Sequence, residues 1–258
     1  MMPNLTLPAI ILRRVDFGDY DLILTFFSLN KGKISAIAKS AKKSTKRFGG
    51  ILELFSVLRL VCSTAKGREL LVLQEADLIN SFSCIRGDLK KTAYASYFAE
   101  LINEWSETGS EQEGIYRLLY FVLDQLDICR IPEEILSIIF QMRFADIVGV
   151  RPNLSVCTDC RIEIDRIKED RVAFDFSKGG IICQKCACIS VNRFFLSKGT
   201  IKQLLWVESG DLSKAAKIRF TPSSVKEGLG FLESFITYHI GKELQSLRFL
   251  KQIRRKDE

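Results

Sequence analysis

The residues with the clearest chemistry are two Cys-x-x-Cys pairs, CTDC at 157–160 and CQKC at 183–186, with 22 residues between them. One such turn can direct two sulfur atoms at an ion, and two turns complete a tetrahedron with Zn–S bonds of about 2.3 Å. Four thiolates leave no coordination position open, so the ion would have a structural role. The spacing predicts one structural zinc ion bound by a cysteine quartet, Cys157, Cys160, Cys183 and Cys186.

Other interpretations of these sulfur atoms stay open from the sequence. The segment CQKCAC offers Cys188 as a fifth sulfur, either a spare or a substitute for one ligand. The pairs would also suit redox-active or merely buried thiols, although redox pairs usually begin a helix after a strand, or an iron–sulfur cluster. The remaining cysteines lie in apolar surroundings, which predicts that they are buried in a core: Cys62, Cys84 and Cys129.

The chain contains one histidine, His239, and this narrows the classes of enzyme that remain open. His239 lies in FITYHIGKEL, a stretch typical of an amphipathic helix, where a structural role is expected. An HExxH site, a multi-histidine metal site and a hydrolytic triad therefore have little or no support, and no GxxxxGK[ST] phosphate loop occurs. We expect no catalytic turnover and no small-molecule substrate.

A strongly basic stretch, ISAIAKSAKKSTKRFGG, covers residues 34–50, and no acidic residue occurs between Asp21 and Glu53. Lysine and arginine side chains neutralise phosphates, so the stretch would suit a nucleic-acid backbone. By itself it is equally compatible with a solvated loop. The candidate phosphate-binding residues flank the predicted strand or lie in the loop after it: Lys33, Lys39, Lys42, Lys43, Lys46 and Arg47.

Aromatic and acidic side chains lie near this basic stretch. Phe17, Tyr20 and Phe48 are candidates for stacking on bases, or else they belong to a core or a turn. The three aspartates of VDFGDYD, residues 15–21, could suggest a metal site, but aspartate and glycine are also the expected residues of a tight turn. The turn is the favoured interpretation.

The elements that would position these residues change character along the chain. Five short apolar runs, separated by turn residues, predict five strands in residues 1–80. They are PAIILRRV, DLILTFFSL, KISAIAK, ILELFSVLRLVC and ELLVLQEA. Five strands at this spacing suit a small closed barrel, which removes exposed edges, although half of a sandwich is an alternative.

Helical periodicity replaces the strand pattern after about residue 82. LKKTAYASYFAELINEW, EQEGIYRLLYFVLDQLDIC and PEEILSIIFQMRFADIVGV predict three helices, the last of them buried on most sides. SKGTIKQLLWVES predicts another, and residues 223–253 predict one long helix or two. The fold class is therefore α+β, with domains at 1–80 (barrel), 81–150 (helical), 151–192 (zinc module) and 193–258 (helical, with a basic tail).

The net charge of +7 is spread unevenly. Residues 1–80 contain 12 basic and 7 acidic side chains, residues 81–150 contain 6 and 11, and residues 151–258 contain 20 and 13. An acidic middle between two basic ends predicts separate surfaces for separate partners. The first residues do not resemble a secretory signal and no apolar run is long enough to span a membrane, so we expect a cytoplasmic protein.

Several stretches together resemble the bacterial recombination mediator RecO family. The most specific are residues 15–60, VDFGDYDLILTFFSLNKGKISAIAKSAKKSTKRFGGILELFSVLRL, and GVRPNLSVC before the first cysteine pair. LLVLQEADLINSF and the closing SLRFLKQI extend the likeness over nearly the whole chain. The resemblance implies an N-terminal OB-fold, a helical domain and a zinc module, although some family members lack the cysteine ligands.

The resemblance also implies a function in recombinational DNA repair, in the cytoplasm and associated with the nucleoid. Such proteins bind single- and double-stranded DNA, anneal complementary strands and, with RecR, help RecA load onto DNA coated by single-strand-binding protein. A protein-interaction adaptor that contains zinc but does not bind DNA is the main alternative. The basic tail, with Lys251, Arg254, Arg255 and Lys256, is a weaker second candidate for DNA contact.

Overall fold

The computed structural model describes residues 4–63, 70–110, 112–187, 193–209, 211–215 and 217–257. The chain forms two compact units. Unit 1 comprises Met1–Arg130 and Leu244–Glu258, and unit 2 comprises Ile131–Glu243. The four domains expected from the sequence meet after residues 80, 150 and 192, whereas the two units place the last helical segment with the first 130 residues.

Unit 1 contains the predicted five-stranded barrel. Its strands are β1 (Asn4–Phe17), β2 (Asp21–Ser28), β3 (Gly32–Ala38), β4 (Val57–Ser63) and β5 (Leu71–Asn80). The barrel is closed in the order β1-β2-β3-β5-β4, with β3 and β5 parallel and the other neighbours antiparallel. Closure pairs both edges of every strand, as the sequence analysis anticipated.

The alternating pattern of β3 shows why these residues form a barrel. Ile34, Ala36 and Ala38 point into the core, while the residues between them are only half-buried. Small alanines in alternation with larger side chains suit the narrow interior of a small barrel. The strand predicted from residue 51 begins later, at Val57, because residues 51–56 form turns whose apolar side chains, such as Leu52, cap the barrel core.

The described residues form eight α-helices, which match the helical periodicity closely. Their bounds are α1 (Ser83–Arg86), α2 (Leu89–Trp105), α3 (Glu113–Ile128), α4 (Glu133–Ile147), α5 (Lys198–Ser209), α6 (Leu212–Ala215), α7 (Pro222–Ile240) and α8 (Gln245–Asp257). Gly241, with φ of 79°, ends α7 and divides the predicted terminal helix into two. The charged segment at the end of the sequence continues α8 as far as Asp257.

Helix α8 packs on α2 within unit 1. Leu247 and Leu250 are buried, and the carboxylate of Glu100 accepts hydrogen bonds from the backbone N–H groups of Gln245 (3.2 Å) and Ser246 (2.7 Å). A carboxylate at a helix N-terminus satisfies free N–H groups and complements the helix dipole. Glu100 therefore fixes where α8 begins, across 145 residues of sequence.

Unit 2 combines α4 to α7 with a three-stranded antiparallel sheet. The sheet strands are β6 (Arg171–Asp175), β7 (Gly180–Ile182) and β8 (Arg193–Ser197), in the order β7-β6-β8. Helix α4 is buried on most sides, as its continuous apolar sequence predicted. Phe174 of β6 packs edge-on against Phe231 of α7, with ring centroids 4.8 Å apart, and so joins the sheet to the helices.

In the described ranges, no helix is long and apolar enough to cross a membrane.

Candidate metal centre and candidate nucleic-acid interface

The structure brings the predicted cysteine quartet together in unit 2. The four sulfur atoms of Cys157, Cys160, Cys183 and Cys186 all lie within 4.8 Å of one another. A tetrahedral ion with bonds of about 2.3 Å to sulfur holds its ligands about 3.8 Å apart, and the sulfur atoms of Cys160 and Cys183 are separated by 3.7 Å. The quartet is the only group of three or more such ligands among the described residues.

Each cysteine pair sits on a tight turn. In the first turn, the Cys157 carbonyl accepts from the Arg161 N–H (3.0 Å), and Arg161 has a left-handed φ of 61°. In the second, Gln184–Cys186 form a short 3-10 helix in which the Cys183 carbonyl accepts from the Cys186 N–H (3.0 Å). Both turns direct two sulfur atoms toward one point, as the Cys-x-x-Cys spacing predicted.

The backbone also holds the two turns against each other. The Thr158 N–H donates to the Ile181 carbonyl (2.9 Å), and the Cys183 N–H donates to the Cys157 sulfur (3.4 Å). Gly180 allows this approach, because a Cβ atom there would lie 2.6 Å from the Thr158 side chain. The arrangement is therefore built by β7 and the first turn jointly, and a larger residue at 180 would force them apart.

The electrostatics of the quartet favour a bound cation. Burial raises the pKa of Cys157, but backbone N–H donors of Cys160, Cys183 and Asp159 outweigh it and lower the pKa to about 7. The neighbouring sulfur atoms of Cys160 and Cys183 raise the pKa of Cys186 to about 12. Four thiolates this close repel one another, so a fully deprotonated set requires a positive ion among them.

The other cysteines fall into two groups. Cys62 is buried in the barrel core as predicted, and burial raises its pKa to about 11. The prediction was wrong for Cys84 and Cys129, which are exposed because they lie in α1 and at the end of α3. Cys188 lies outside the described residues.

In unit 1, the basic loop, residues 39–50, follows β3 and folds against the turn between β1 and β2. The Ser40 N–H donates to the Asp21 carboxylate (2.7 Å), and the Lys42 N–H donates to the Tyr20 carbonyl (3.0 Å). The chain then reverses at Gly49 and Gly50, whose φ angles of 29° and 78° favour glycine. The aspartate-rich turn thus has the structural role favoured from the sequence, and among the described residues it forms no metal-binding group.

The cations of the basic loop are exposed but differ in their partners. Lys42 pairs with Asp16 (3.0 Å), and the Lys43 ammonium lies 3.3 Å from the centroid of the Tyr20 ring. The Arg47 guanidinium donates to the Lys39 carbonyl (2.7 Å) and so ties the loop across its base. The ammonium groups of Lys39 and Lys46 are exposed and have no ion-pair partner in the part of the chain that the structure describes.

Lys33 differs from the other five candidates. Its side chain is half-buried, and its ammonium donates to the Asn103 carbonyl (2.8 Å) near the C-terminus of α2. Carbonyl groups at a helix C-terminus carry partial negative charge, so this lysine has a structural partner already.

The three aromatic candidates separate clearly by exposure. Phe17 and Tyr20 are 53% and 45% exposed, which suits stacking, whereas Phe48 is 2% exposed and packs into the barrel core. The proposal of Phe48 as a stacking residue was therefore wrong, because its side chain turns inward beside the glycine turn.

Two ion pairs in or beside the basic loop were not predicted from the sequence. Asp16 neutralises Lys42, and Arg14 of β1 pairs with Glu53 (2.8 Å) just beyond the loop. These partners are distant in sequence and meet only because β1 and the basic loop fold together. Residues 13–17, the exposed end of β1, contain Arg14 and Asp16. Because a closed barrel places this end of β1 beside the loop that follows β3, these charged residues were the sequence signal for the two ion pairs.

Comparison with known proteins places the chain in a class of DNA repair proteins. Residues 1–82 match the family described as recombination protein O N terminal, and residues 86–248 match recombination protein O C terminal. Among similar proteins, the DNA repair protein RecO of Desulfatibacillum aliphaticivorans is 43% identical over 99% of each chain. That of Desulfosudis oleivorans is 41% identical over 98% of this chain and 99% of its own. The chain belongs to the recombination protein O family, a family with a role in DNA repair and recombination.

Proposed function

We propose that the chain is a DNA-binding recombination mediator that binds single- and double-stranded DNA and anneals complementary strands. The proposal rests on the basic loop, in which five cationic residues are exposed within nine residues that contain no acidic side chain. These are Lys39, Lys42, Lys43, Lys46 and Arg47. Family membership supports the same conclusion.

The five cations of the basic loop differ in how they would reach a phosphate. Lys39 and Lys46 are free to approach a phosphate directly, whereas Lys42 must first exchange Asp16 for it. Arg47 is held by its hydrogen bond to the loop backbone and presents its remaining N–H donors in a fixed orientation. Contacts of this kind release condensed counterions, so binding is salt-dependent and indifferent to sequence. Lys33 contributes mainly to the attachment of β3 to α2.

Base stacking would use the two exposed rings beside the cations. Tyr20 is held by the Lys43 ammonium over its face, and Phe17 lies at the end of β1 on the same turn. Aromatic stacking contributes about 1–3 kcal/mol per base and tolerates every base. A single strand would therefore be bound through both its phosphates and its bases, and a duplex through its phosphates alone.

Annealing follows if the cations of the basic loop screen two strands at once. The repulsion between complementary strands is then reduced while their hydrogen-bonding edges stay free. This step needs no catalytic group, in agreement with the single histidine and the absence of a phosphate loop in the sequence.

The cysteine quartet would bind one structural zinc ion. Four sulfur donors select zinc among the common structural ions, and their closed arrangement leaves no position for a substrate. The ion would hold β7 and the first cysteine turn together, so its binding energy becomes folding energy of unit 2.

The proposed partners follow from the family. With RecR, the chain would help RecA load onto DNA coated by single-strand-binding protein. The sequence stretch 81–150 has a net negative charge, opposite to that of the basic loop, and suits contacts with proteins rather than DNA.

A strand-annealing assay on complementary strands coated with single-strand-binding protein tests the proposal. The wild-type chain should accelerate annealing, and alanine at Lys39, Lys42, Lys43, Lys46 and Arg47 should remove most of the acceleration. Single-stranded DNA filter binding at two salt concentrations separates the alternative: a pure adaptor would retain no DNA at either concentration. Annealing by the five-alanine variant at the wild-type rate would overturn the assignment of the surface.

A further inference from the structure

A lysine and a cysteine of unit 1 lie close enough to react with each other. The Nζ atom of Lys91, in the first turn of α2, is 2.6 Å from the sulfur of Cys129, which follows α3. The Lys91 side chain is buried, with 9% of the residue exposed, whereas Cys129 is exposed. Solvent therefore reaches the sulfur while the protein shields the nitrogen.

Helix-end hydrogen bonds fix both members of the pair. The Asp88 carboxylate accepts from the Lys91 N–H (3.0 Å) and caps α2. Asp127, two residues before Cys129, accepts from the Cys84 N–H (2.8 Å) and so ties the end of α3 to α1. Cys129 itself has a left-handed φ of 54° that turns it out of the helix. The close contact between nitrogen and sulfur is thus set by three helix ends.

The Cys129 sulfur is the hydrogen-bond partner of the Lys91 ammonium. A buried ammonium needs a negative partner, because removing its hydration is costly. The hydrogen bond to Cys129 raises the pKa of Lys91, with smaller contributions from Asp88 and Cys84, against the opposing effect of burial. The thiolate form of a cysteine is the form that reacts with oxidants, and the contact places the Cys129 sulfur beside the Lys91 nitrogen.

We propose that Lys91 and Cys129 form a peroxide-sensitive covalent link between α2 and α3. The Cys129 thiolate attacks hydrogen peroxide, the O–O bond breaks, and a sulfenic acid and hydroxide result. Hydroxide takes a proton from the Lys91 ammonium to give water. The neutral amine then attacks the sulfenic sulfur, an S–N bond forms, and the S–O bond breaks with loss of a second water. Peroxide is reduced by two electrons and the sulfur is oxidised by two.

The link would join α2 and the end of α3 covalently under oxidising conditions, and it would be reversible. A thiol reductant attacks the S–N bond, returns the amine and leaves a mixed disulfide that a second thiol resolves. The exposed Cys84 sits in the same group of helix ends and is the competing nucleophile, since it could capture the sulfenic acid as a disulfide. The 2.6 Å contact between the Lys91 nitrogen and the Cys129 sulfur is the reason for assigning the link to nitrogen.

Peptide mapping of the full chain after hydrogen peroxide treatment, alkylation and trypsin digestion tests the proposal. We expect residues 118–130 joined to residues 91–117, with Lys91 uncleaved and the pair lighter by two hydrogens than the separate peptides. A thiol reductant should abolish this species. Because the cysteine quartet lies in other tryptic peptides, peptide mapping distinguishes its oxidation from that of Cys129.

Matched variants decide which groups form the link. Lys91→Arg keeps the charge but should yield a Cys129 sulfenic acid that dimedone traps, with the linked peptide at least ~10-fold less abundant. Lys90→Arg and Cys84→Ser should retain the wild-type yield. A Cys84–Cys129 disulfide, a link that retains oxygen between sulfur and nitrogen, or Cys129 left reduced in the wild-type chain would each overturn the proposal.

Discussion

The cysteine quartet and the basic loop are both short clusters of one residue type, yet the chain completes only the first. The quartet closes on itself: two turns, β7 and Gly180 hold four sulfur atoms within 4.8 Å. The basic loop remains open: its backbone is hydrogen-bonded to the turn between β1 and β2, and its five cationic residues are exposed. The first arrangement suits a point charge, and the second suits the long polyanion that we propose as its ligand.

The two sites therefore differ in how much of the ligand's binding geometry the protein must build. A metal ion is smaller than the residues that bind it, so the protein must build the whole coordination sphere before or during binding. A nucleic-acid strand brings many equivalent phosphates, so the protein needs only exposed positive charge and a few aromatic surfaces. Substitutions in the cysteine quartet and in the basic loop should therefore have different effects.

The largest effect should come from removing ligands of the quartet. Cys157→Ser with Cys183→Ser should lower the bound metal from one ion per chain to none and unfold the turns of unit 2, because structural zinc binding contributes about 10–16 kcal/mol in small zinc modules. Elemental analysis and near-ultraviolet circular dichroism measure both outcomes. Cys84→Ser, an exposed cysteine in unit 1, is the control and should retain the metal. Metal retained by the double variant would show that the quartet is not the site.

The second effect concerns the salt dependence of single-stranded DNA binding. Alanine at Lys42, Lys43, Lys46 and Arg47 should reduce the slope of log K against log salt by about 3, at ~0.7 per phosphate contact. An equal loss of exposed charge in unit 2 provides the control, with alanine at Lys168, Lys214, Lys217 and Arg219. A slope that falls equally in both variants would mean that net charge, and not the basic loop, governs binding.

The third effect separates two aromatic residues of the same region. Phe48→Ala should reduce the free energy of unfolding by about 3–5 kcal/mol, since it empties part of the barrel core. Tyr20→Ala should change stability by about 1 kcal/mol or less, the value of an exposed cation–π contact, yet weaken DNA binding by about 1–3 kcal/mol. Urea unfolding and fluorescence anisotropy titrations measure the two quantities. Equal DNA affinities for Tyr20→Ala and wild type would remove the stacking role.

The smallest effect should be a gain of affinity. Asp16→Asn frees Lys42 from an exposed ion pair, which is worth at most about 1 kcal/mol, so DNA affinity should rise by up to ~5-fold at low salt. Asp19→Asn removes the same charge from the same turn without freeing a lysine and should give a smaller gain. If the two variants bind equally, Lys42 does not exchange Asp16 for a phosphate.

Local patterns in the sequence were sufficient for much of this description. The barrel, the bounds of α2 and the cysteine quartet follow from alternation, helical periodicity and ligand spacing, each of which lies within a short stretch. The start of β4 was misjudged because the apolar side chains of residues 51–54, such as Leu52, cover the barrel core instead of forming a strand. Phe48, Cys84 and Cys129 were misjudged because burial depends on which way a turn directs a side chain.

Long-range partners could not be obtained from such patterns. Asp16 meets Lys42, Lys33 meets the Asn103 carbonyl, and Glu100 meets α8 only after distant strands and helices have assembled. None of these pairs has a spacing that a local rule would recognise. The first two contacts decide which cations in or beside the basic loop remain free. The candidate DNA-binding residues therefore depended on the three-dimensional structure more than the metal ligands did.

The capping of α8 by Glu100 has a consequence for the order of events during synthesis. Unit 1 is discontinuous, with residues 131–243 inserted between its two parts. The barrel and α1 to α3 leave the ribosome first, but α2 lacks its α8 neighbour until residues 244–257 emerge. The nascent chain must therefore carry an incomplete N-terminal unit while all of unit 2 is translated. During that interval the face of α2 that later contacts α8 has no partner from this helix.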